Sequence, residues 1–427
     1  MKQNLVISCP ASSRSGYGDH SRDIIKSLIS MDKFNIQIID QRWGWCPRTE
    51  LKNEPEIAKL VMPMGTPLTS QPDVWIQISV PNEFQAVGKF NIGITAGIET
   101  DRVSIEWIKG MNNMDINIVP SHHSKMVFEQ SKYDEKDKQG NVVNSFQLEK
   151  PIHVLFEGLD TKIFDKTPSD ELIPIKGIDE IKESFCFLCV GHWLQGELGH
   201  DRKDIGGTIQ TFIHTFKNMQ TKPALILKTS SATFSVMDRY DMEKRIKSIY
   251  NGMGGNIDKM PKIYLLHGDL TPQEMNSLYN HPKVKAMLSL THGEGFGRPL
   301  LEFSVTGKPT IATNWSGHVD FLNNYGFRIP GKLAQVHKSV LQKGLIEEGS
   351  QWFFADYGYA SKLIKDVYRK YKTFLTTSRK QRKYVKDNFT LDMMKEQFSE
   401  ILNDNIPEPV KLKLPTLKLP KMEKVNE

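Results

Sequence analysis

Two glutamates, Glu294 and Glu302, stand eight positions apart within THGEGFGRPLLEFSVTG, residues 291–307. An ionised carboxylate only accepts hydrogen bonds, and its two oxygens match the paired hydroxyls of a sugar or ribose ring. The intervening Gly293, Gly295 and Gly297 carry no side chain to hold backbone amides away from a ligand. Pro299 suits the first turn of a helix, where the missing N–H is no loss, and a helix start favours anionic oxygens. The pattern describes a phosphate cradle flanked by two hydroxyl clamps, one for a sugar and one for a ribose. The competing reading is a helix whose early glutamate only complements the macrodipole.

Such a cradle needs a strand to deliver it, and VKAMLSL just before it is apolar enough to be a buried parallel strand. Ligands of open α/β sheets bind outside the carboxyl ends of the strands, which is where THGEGFG would lie. NLVISCP, FNIQIID, DVWIQISV, FNIGITAGI, MDINIVPS and IHVLFEGLD read as a first series of strands. Helical RDIIKSLISM, SIEWIKGMNN and HHSKMVFEQS fall between them, the last with Ser121 as its cap. After a polar, proline-bearing stretch over 165–183, the segments FCFLCVG, ALILKTS, KIYLLHG, VKAMLSL and KPTIAT form a second series. Thr271 is expected to cap TPQEMNSLYNH, and YASKLIKDVYRKYKTFL and LDMMKEQFSEIL close the chain as helices. The spacing predicts an α/β protein of two doubly wound domains in tandem. Their expected limits are 1–165 and 183–380, followed by a helix over 381–404 packing back on the first domain and an extended Lys/Pro tail over 405–427.

Bulk properties narrow the classes. A chain of 427 residues exceeds one hydrophobic core, and 39% hydrophobic with 25% charged residues argues against wholesale disorder. No apolar run reaches the roughly 18 residues of a membrane helix, so no integral membrane segment is expected, and MKQNLVISCP reads as a first strand in place of a secretory signal. Four cysteines, Cys9, Cys46, Cys186 and Cys189, are too few for a disulfide framework, which makes a cytoplasmic setting the default. Cys186-x-x-Cys189 lies inside the strand-like run SFCFLCVG without a second ligand pair, so a buried strand outweighs a metal site. The net charge of +6 is compatible with an anionic substrate, and part of it sits in the tail, where Pro409, Pro415 and Pro420 disfavour a helix.

Taken with TGKPTIAT and Gly317, the run Glu294-Gly-Phe-Gly-x-Pro-x-x-Glu302 resembles the E-x7-E signature of family-4 glycosyltransferases of the GT-B fold. These use nucleotide sugars and retain anomeric configuration. VGHWLQGELGHDRKDIGGTIQTF is similar to the family's phosphate-binding segment, with Lys203 at the matching lysine and Arg202 beside it. INIVPSHHSK resembles a family strand and turn, LFEGLDTKIF the turn between the domains, and SGYG the N-terminal glycine loop. The likeness covers residues 1 to about 400 and leaves out the tail. It departs at Gly191, where the family commonly continues with arginine and this chain with His192, so Arg202 or Arg298 would supply that charge. Where the family has a histidine in the first domain's site, TAGIETDR offers Glu99, Thr100 and Asp101.

The resemblance implies a GT-B fold, two Rossmann-like domains facing across a cleft, and transfer of a hexose or pentose from a nucleotide-diphosphate-sugar to a hydroxyl acceptor. Lys203 with Arg202 or Arg298 would neutralise the departing diphosphate. Glu294 would orient the donor sugar and Glu302 the ribose, with Gly295, Phe296, Gly297 and Arg298 completing the donor side. Gly16 to Gly18 would close over the diphosphate, His192 would face the donor, and His318 and Asp320 would line the nucleotide side. Gly97, Glu99, Thr100 and Asp101 would face the acceptor. In retaining relatives the leaving phosphate takes the acceptor proton, so the glutamates need not act as the acid/base pair of a glycosidase. No D-x-D motif is present, and the nucleotide sugar is a co-substrate, so neither metal nor cofactor is expected. The acceptor would be a glycan or a lipid-linked sugar. The alternative is a hydroxymethylated DNA base, as for phage glycosyltransferases of this overall fold, with Trp43 and Trp45 stacking on bases between Arg42 and Arg48 and the lysine tail on phosphates; the same tryptophans read equally as core or glycan-stacking residues. Outside transferases, the same fold would suit an epimerase, a phosphorylase or a silent sugar-binding subunit.

Overall fold

The computed structural model describes residues 2–231 and 234–408, so the expected tail lies, from residue 409 on, outside the described residues. The first half contains β1 (Gln3–Cys9), α1 (Gly16–Met31), β2 (Phe34–Asp40), a short α2 (Pro55–Ala58), β3 (Val74–Ile78), β4 (Phe90–Ile94), α3 (Ile105–Asn112), β5 (Ile116–Val119) and α4 (His122–Gln130). A hairpin, β6 (Tyr133–Lys136) and β7 (Val142–Phe146), then precedes β8 (Ile152–Val154). The second half runs β9 (Cys186–Val190), α5 (Ile205–Phe216), β10 (Ala224–Lys228), α6 (Val236–Gly252), β11 (Ile263–Leu266), α7 (Pro272–Asn280), β12 (Val284–Ser289), α8 (Arg298–Ser304), β13 (Thr310–Thr313), α9 (Val319–Leu322) and β14 (Phe327–Ile329). It is followed by a second hairpin, β15 (Gly331–Gln335) with β16 (Gln351–Ala355), and by α10 (Tyr357–Arg369), α11 (Tyr371–Asn388) and α12 (Leu391–Asn405).

Two six-stranded parallel sheets result, ordered β2-β1-β3-β4-β5-β8 and β11-β10-β9-β12-β13-β14. Their central strands are apolar on both faces, as helices packed on each side require: β3 and β5 are buried at every position. In each sheet the strand order reverses once, between β1 and β3 and between β9 and β12, and the crevice of such a sheet opens at that switch point. The turns after β9 and β12 therefore meet where a ligand belongs. Local signals set the helix starts. Ser15, Ser121 and Thr390 each accept a backbone N–H at the head of α1, α4 and α12, and Thr271 with Glu274 closes a capping box on α7. Cys186 and Cys189 are residues of β9 packed into separate core clusters, where burial pushes both thiols up to about 12.

The C-terminal helices differ from expectation. The chain breaks at Lys370, and again at Phe389–Thr390, so residues 381–388 belong to α11, which packs on α8 and α9 of the second domain. Only α12 joins the first domain, where Met394, Phe398 and Leu402 share a core with Leu5, Ile24 and Leu28. Leu159 and Leu391 stitch the crossing, Leu159 N–H to the Phe389 oxygen and Leu391 N–H to the Leu159 oxygen, both at 2.8 Å. The second hairpin crosses the other way. Asp101 N–H donates to the Gln351 oxygen (2.8 Å) and its carboxylate accepts from Gln351 N–H (2.7 Å). Leu345 packs against the first domain's Val103 and Trp107 cluster. No helix among the described residues is long and apolar enough to cross a membrane.

Candidate active site

Arg202 and Lys203 end the turn that follows β9, just before α5. Asp204 caps that helix from the left-handed region (φ +46), its carboxylate accepting from Gly207 N–H at 3.0 Å. Burial pushes the Asp204 carboxyl up to about 8, against the hydrogen bond donated by the Tyr357 hydroxyl. The Arg202 carbonyl accepts from His292 N–H (3.0 Å) and the Thr291 hydroxyl (3.2 Å), which ties this turn to the one after β12. The Lys203 ammonium thereby reaches Glu294 and donates to both carboxylate oxygens. Both side chains are nearly buried. Burial pushes the Glu294 carboxyl up, but Lys203 and then Arg202 outweigh it and hold the group below the usual carboxylate range. Burial lowers the Lys203 ammonium, and Glu294 opposes that shift. Arg202, the next cation, donates to Glu99 of the first domain. One buried carboxylate and one from across the cleft thus face two adjacent positive charges.

The glycines between the glutamates serve a different approach from the one expected. A Cβ on Gly293 would stand 2.7 Å from the Glu99 Cβ, and one on Gly295 would stand 2.1 Å from the Ala96 oxygen. Gly293 and Gly295 therefore let the first domain's chain come against this turn. Ser121 of the first domain donates to the Gly295 oxygen (2.8 Å), and Trp315 donates its indole N–H to the Glu99 oxygen (2.9 Å). Gly297, at φ +100, turns the chain into α8. The Phe296 ring is a core residue against Phe321, so only its backbone is left to the cleft.

Arg298 is committed to carboxylates: Asp23 of α1 at 2.7 Å, Glu157 at 3.5 Å and Glu302 at 4.0 Å. This leaves Arg202, of the two arginines considered, as the one beside Lys203. Glu302 accepts from the Tyr279 hydroxyl at 3.0 Å, and burial pushes its carboxyl up to about 7 despite Arg298. Burial does the same to Glu157, also to about 7.

The remaining candidates are distributed around this centre. Gly16 and Gly18 form the first turn of α1, where a Cβ on Gly18 would lie 2.1 Å from the Ser13 oxygen. Between them, the Tyr17 hydroxyl bonds the Thr95 hydroxyl (3.0 Å) and accepts from Ala96 N–H (3.1 Å). His192 sits 3.4 Å from the Ser230 hydroxyl, with burial lowering its basicity. Thr100 is buried and donates to the Arg102 oxygen, and Asp101 holds the hairpin strand β16, so their side chains serve the fold around Glu99. His318 is buried against the Thr313 oxygen (2.7 Å), and Asp320 accepts from His122 N–H of the first domain (2.9 Å). Two residues had no motif to mark them. Lys228, at the end of β10, donates to the Gly268 oxygen (2.7 Å), and burial lowers its ammonium to about 8. Arg14 reaches across from the first domain to Asp269 (3.0 Å) and the Leu270 oxygen. Isolated basic residues carry no spacing signal, and only the closing of the two domains brings Arg14 near the Lys228 ammonium.

No protein-family model matches the sequence, and no curated protein matches it. Solved structures do resemble it. A glycosyltransferase from Rickettsia africae superposes with a TM-score of 0.62 at 15% identity, over 96% of this chain and 100% of that one. HepE from Anabaena, solved in complex with UDP-glucose, gives 0.59 at 13% identity over 94% and 100%. Sucrose-phosphate synthase from Thermosynechococcus elongatus gives 0.59 at 12% over 94% and 99%. Identity this low speaks for the fold alone: the chain has the GT-B architecture, two Rossmann-like sheets facing across a cleft.

Proposed function

We propose that the protein is a retaining glycosyltransferase that moves a sugar from a nucleotide-diphosphate-sugar to a hydroxyl acceptor. The observation that carries this reading is the Lys203–Glu294 contact, with Arg202 alongside, where the turns after β9 and β12 meet at the switch point of the second sheet. Two adjacent cations at a crevice suit a diphosphate, and the carboxylate between them and the opposite domain suits sugar hydroxyls. HepE, which shares the fold, binds UDP-glucose, and the same class of donor fits this charge pattern.

In this reading the acceptor oxygen bonds to the anomeric carbon from the face the diphosphate leaves. The bond from that carbon to the diphosphate oxygen breaks with its electron pair, and a phosphate oxygen takes the acceptor proton. Lys203 and Arg202 stabilise the charge gathering on the diphosphate, so side-chain cations carry the load and neither metal nor cofactor is called for. Glu294 holds the donor sugar. Glu302, with its carboxyl raised to about 7, can accept from or donate to the ribose hydroxyls. The test is a panel of UDP-, ADP- and GDP-sugars assayed for binding and for slow hydrolysis without acceptor. At least one should bind and be cleaved; a protein that binds none of them is not a transferase of this class.

A further inference from the structure

The first domain carries a surface that donor binding does not use. Residues 41–49, after β2, hold Trp43 and Trp45 on either side of Gly44, which takes φ +48. Trp45 is 83% exposed, with the Arg42 guanidinium 6.0 Å from its ring centroid. Trp43 stacks on Tyr17 at 4.1 Å. Tyr17 in turn bonds Thr95 and Ala96, and Ala96 lies against Gly295, the neighbour of Glu294. The two indoles therefore extend the cleft outward on the first-domain side, starting one ring away from the residues that touch the GEGFG turn. The loop bearing them is pinned: Arg14 N–H donates to the Pro47 oxygen (2.8 Å), Glu50 N–H to the Ser12 oxygen (3.2 Å), and Arg48 bonds Asp40 (2.7 Å) and Ser12 (3.0 Å). An exposed indole on a pinned loop loses little freedom when something stacks on it.

We propose that Trp43 and Trp45 form an acceptor platform and that the acceptor stacked there is a neutral carbohydrate chain, an inference that rests on the transferase reading. A pyranose has an apolar C–H face and hydroxyls around its edge. A flat indole covers that face while the edge stays wet. Charge separates this occupant from a nucleic acid, whose binding is led by phosphate neutralisation. Of the arginines within residues 12–54, Arg14 is paired with Glu50 and Asp269, Arg22 with Asp19, and Arg48 with Asp40. That leaves Arg42, over Trp45, as the arginine of this stretch with no carboxylate partner among the described residues. The rim offers stacking faces with its other arginines paired, while the exposed Lys52 and Lys59 lie beyond the loop.

The test titrates the full chain with soluble α-glucan, β-glucan, chitin and mannan oligosaccharides, and with a DNA duplex, at low and high salt. At least one oligosaccharide should bind with an affinity that salt leaves unchanged. Trp45→Ala should weaken that binding about tenfold or more, and Trp45→Phe should restore most of it. Because Trp45 is exposed, its variants should melt with the native protein, and the phenylalanine variant guards against a local collapse of the loop. Binding of no oligosaccharide, equal binding by Trp45→Ala, or salt-sensitive DNA binding that depends on Trp45 would each overturn the platform. UDP titrated into the native protein keeps the two readings apart. UDP binding without any oligosaccharide removes the platform and leaves the donor reading; no UDP or donor-sugar binding removes the donor reading itself.

Discussion

Lys203 is a buried lysine whose ammonium is opposed by burial and supported by its partner Glu294. If Lys203 holds the diphosphate as proposed, removing it takes away charge-assisted hydrogen bonds, each worth about 1.5–3 kcal/mol. It also leaves Glu294 buried alone, which destabilises the fold. The two effects separate in Lys203→Met with Glu294→Gln: this double variant should regain the melting temperature lost by Lys203→Met, yet bind UDP roughly tenfold or more weakly by calorimetry. Undiminished UDP binding would take Lys203 out of the site. Arg202 gives a prediction of opposite sign. In the free protein Glu99 neutralises it, so a diphosphate must displace a carboxylate to reach it. Glu99→Gln should strengthen UDP binding several-fold, and weakened binding would show that Glu99 helps to build the site. Glu294 was legible from its place in a spaced glycine and carboxylate pattern, and Lys203 only from the resemblance of its segment to a known family. The sequence could not show that Arg202 meets Glu99, because those residues are 103 positions apart and only the cleft joins them.

Elements tell the same story one level up. The caps were legible: Ser121 and Thr271 stand where a polar side chain precedes an apolar periodic run, and both accept the expected backbone N–H. Asp204 was not, since its left-handed backbone leaves no mark in the sequence, yet it sets the direction of Lys203. Asparagine keeps a capping oxygen and tolerates that conformation, whereas alanine does neither. Asp204→Asn should therefore melt close to the native protein, and Asp204→Ala should lose about 1–2 kcal/mol in denaturant titrations; equal loss by both would place the effect in the Tyr357 hydrogen bond instead. The strands β15 and β16 also escaped notice. β15 is largely exposed and polar, so no alternation betrays it, and the hairpin holds the first domain through backbone, Asp101, Ser104 and the packing of Leu345. The glycines of GEGFG mark close backbone approach, and Gly293 and Gly295 are met by Glu99 and Ala96 of the first domain. A sequence can show that backbone must be approached closely, and says nothing of whether a ligand or Ala96 does the approaching.

At the scale of the molecule, the two sheets were legible from alternating strands and helices, while the contacts that close them on each other were not. Those contacts concentrate acid around one arginine. Arg298 of the second domain faces Asp23 and Glu157 of the first, with Glu302 on its own helix. Burial raises Glu157 and Glu302 to about 7, above the value of an unfolded carboxyl. The folded state then binds more protons than the unfolded one, so stability from these groups is full below about pH 4.5 and lost as pH rises through about 7. Buried His20, lowered to about 3, and His123 and His292, lowered to about 4, act oppositely, since unfolding lets them take up protons below about 6.5. The histidines outweigh the two carboxyls in acid, so thermal melts should fall as pH drops below about 5; above about 7 Lys228 and Lys308, lowered to about 8 and 7, offset the loss from the glutamates. The same cluster decides how tightly the domains stay together. Arg298→Ala leaves Asp23, Glu157 and Glu302 facing one another without a cation, so their repulsion should part the domains when all three are ionised. Small-angle scattering at alkaline pH should give a larger radius of gyration for this variant than for the native protein. Acidification through the range where Glu157 and Glu302 take up protons should bring it back. A radius that stays the same at both ends of that range, in a variant whose circular dichroism shows it folded, would mean that Arg298 does not hold the cleft closed.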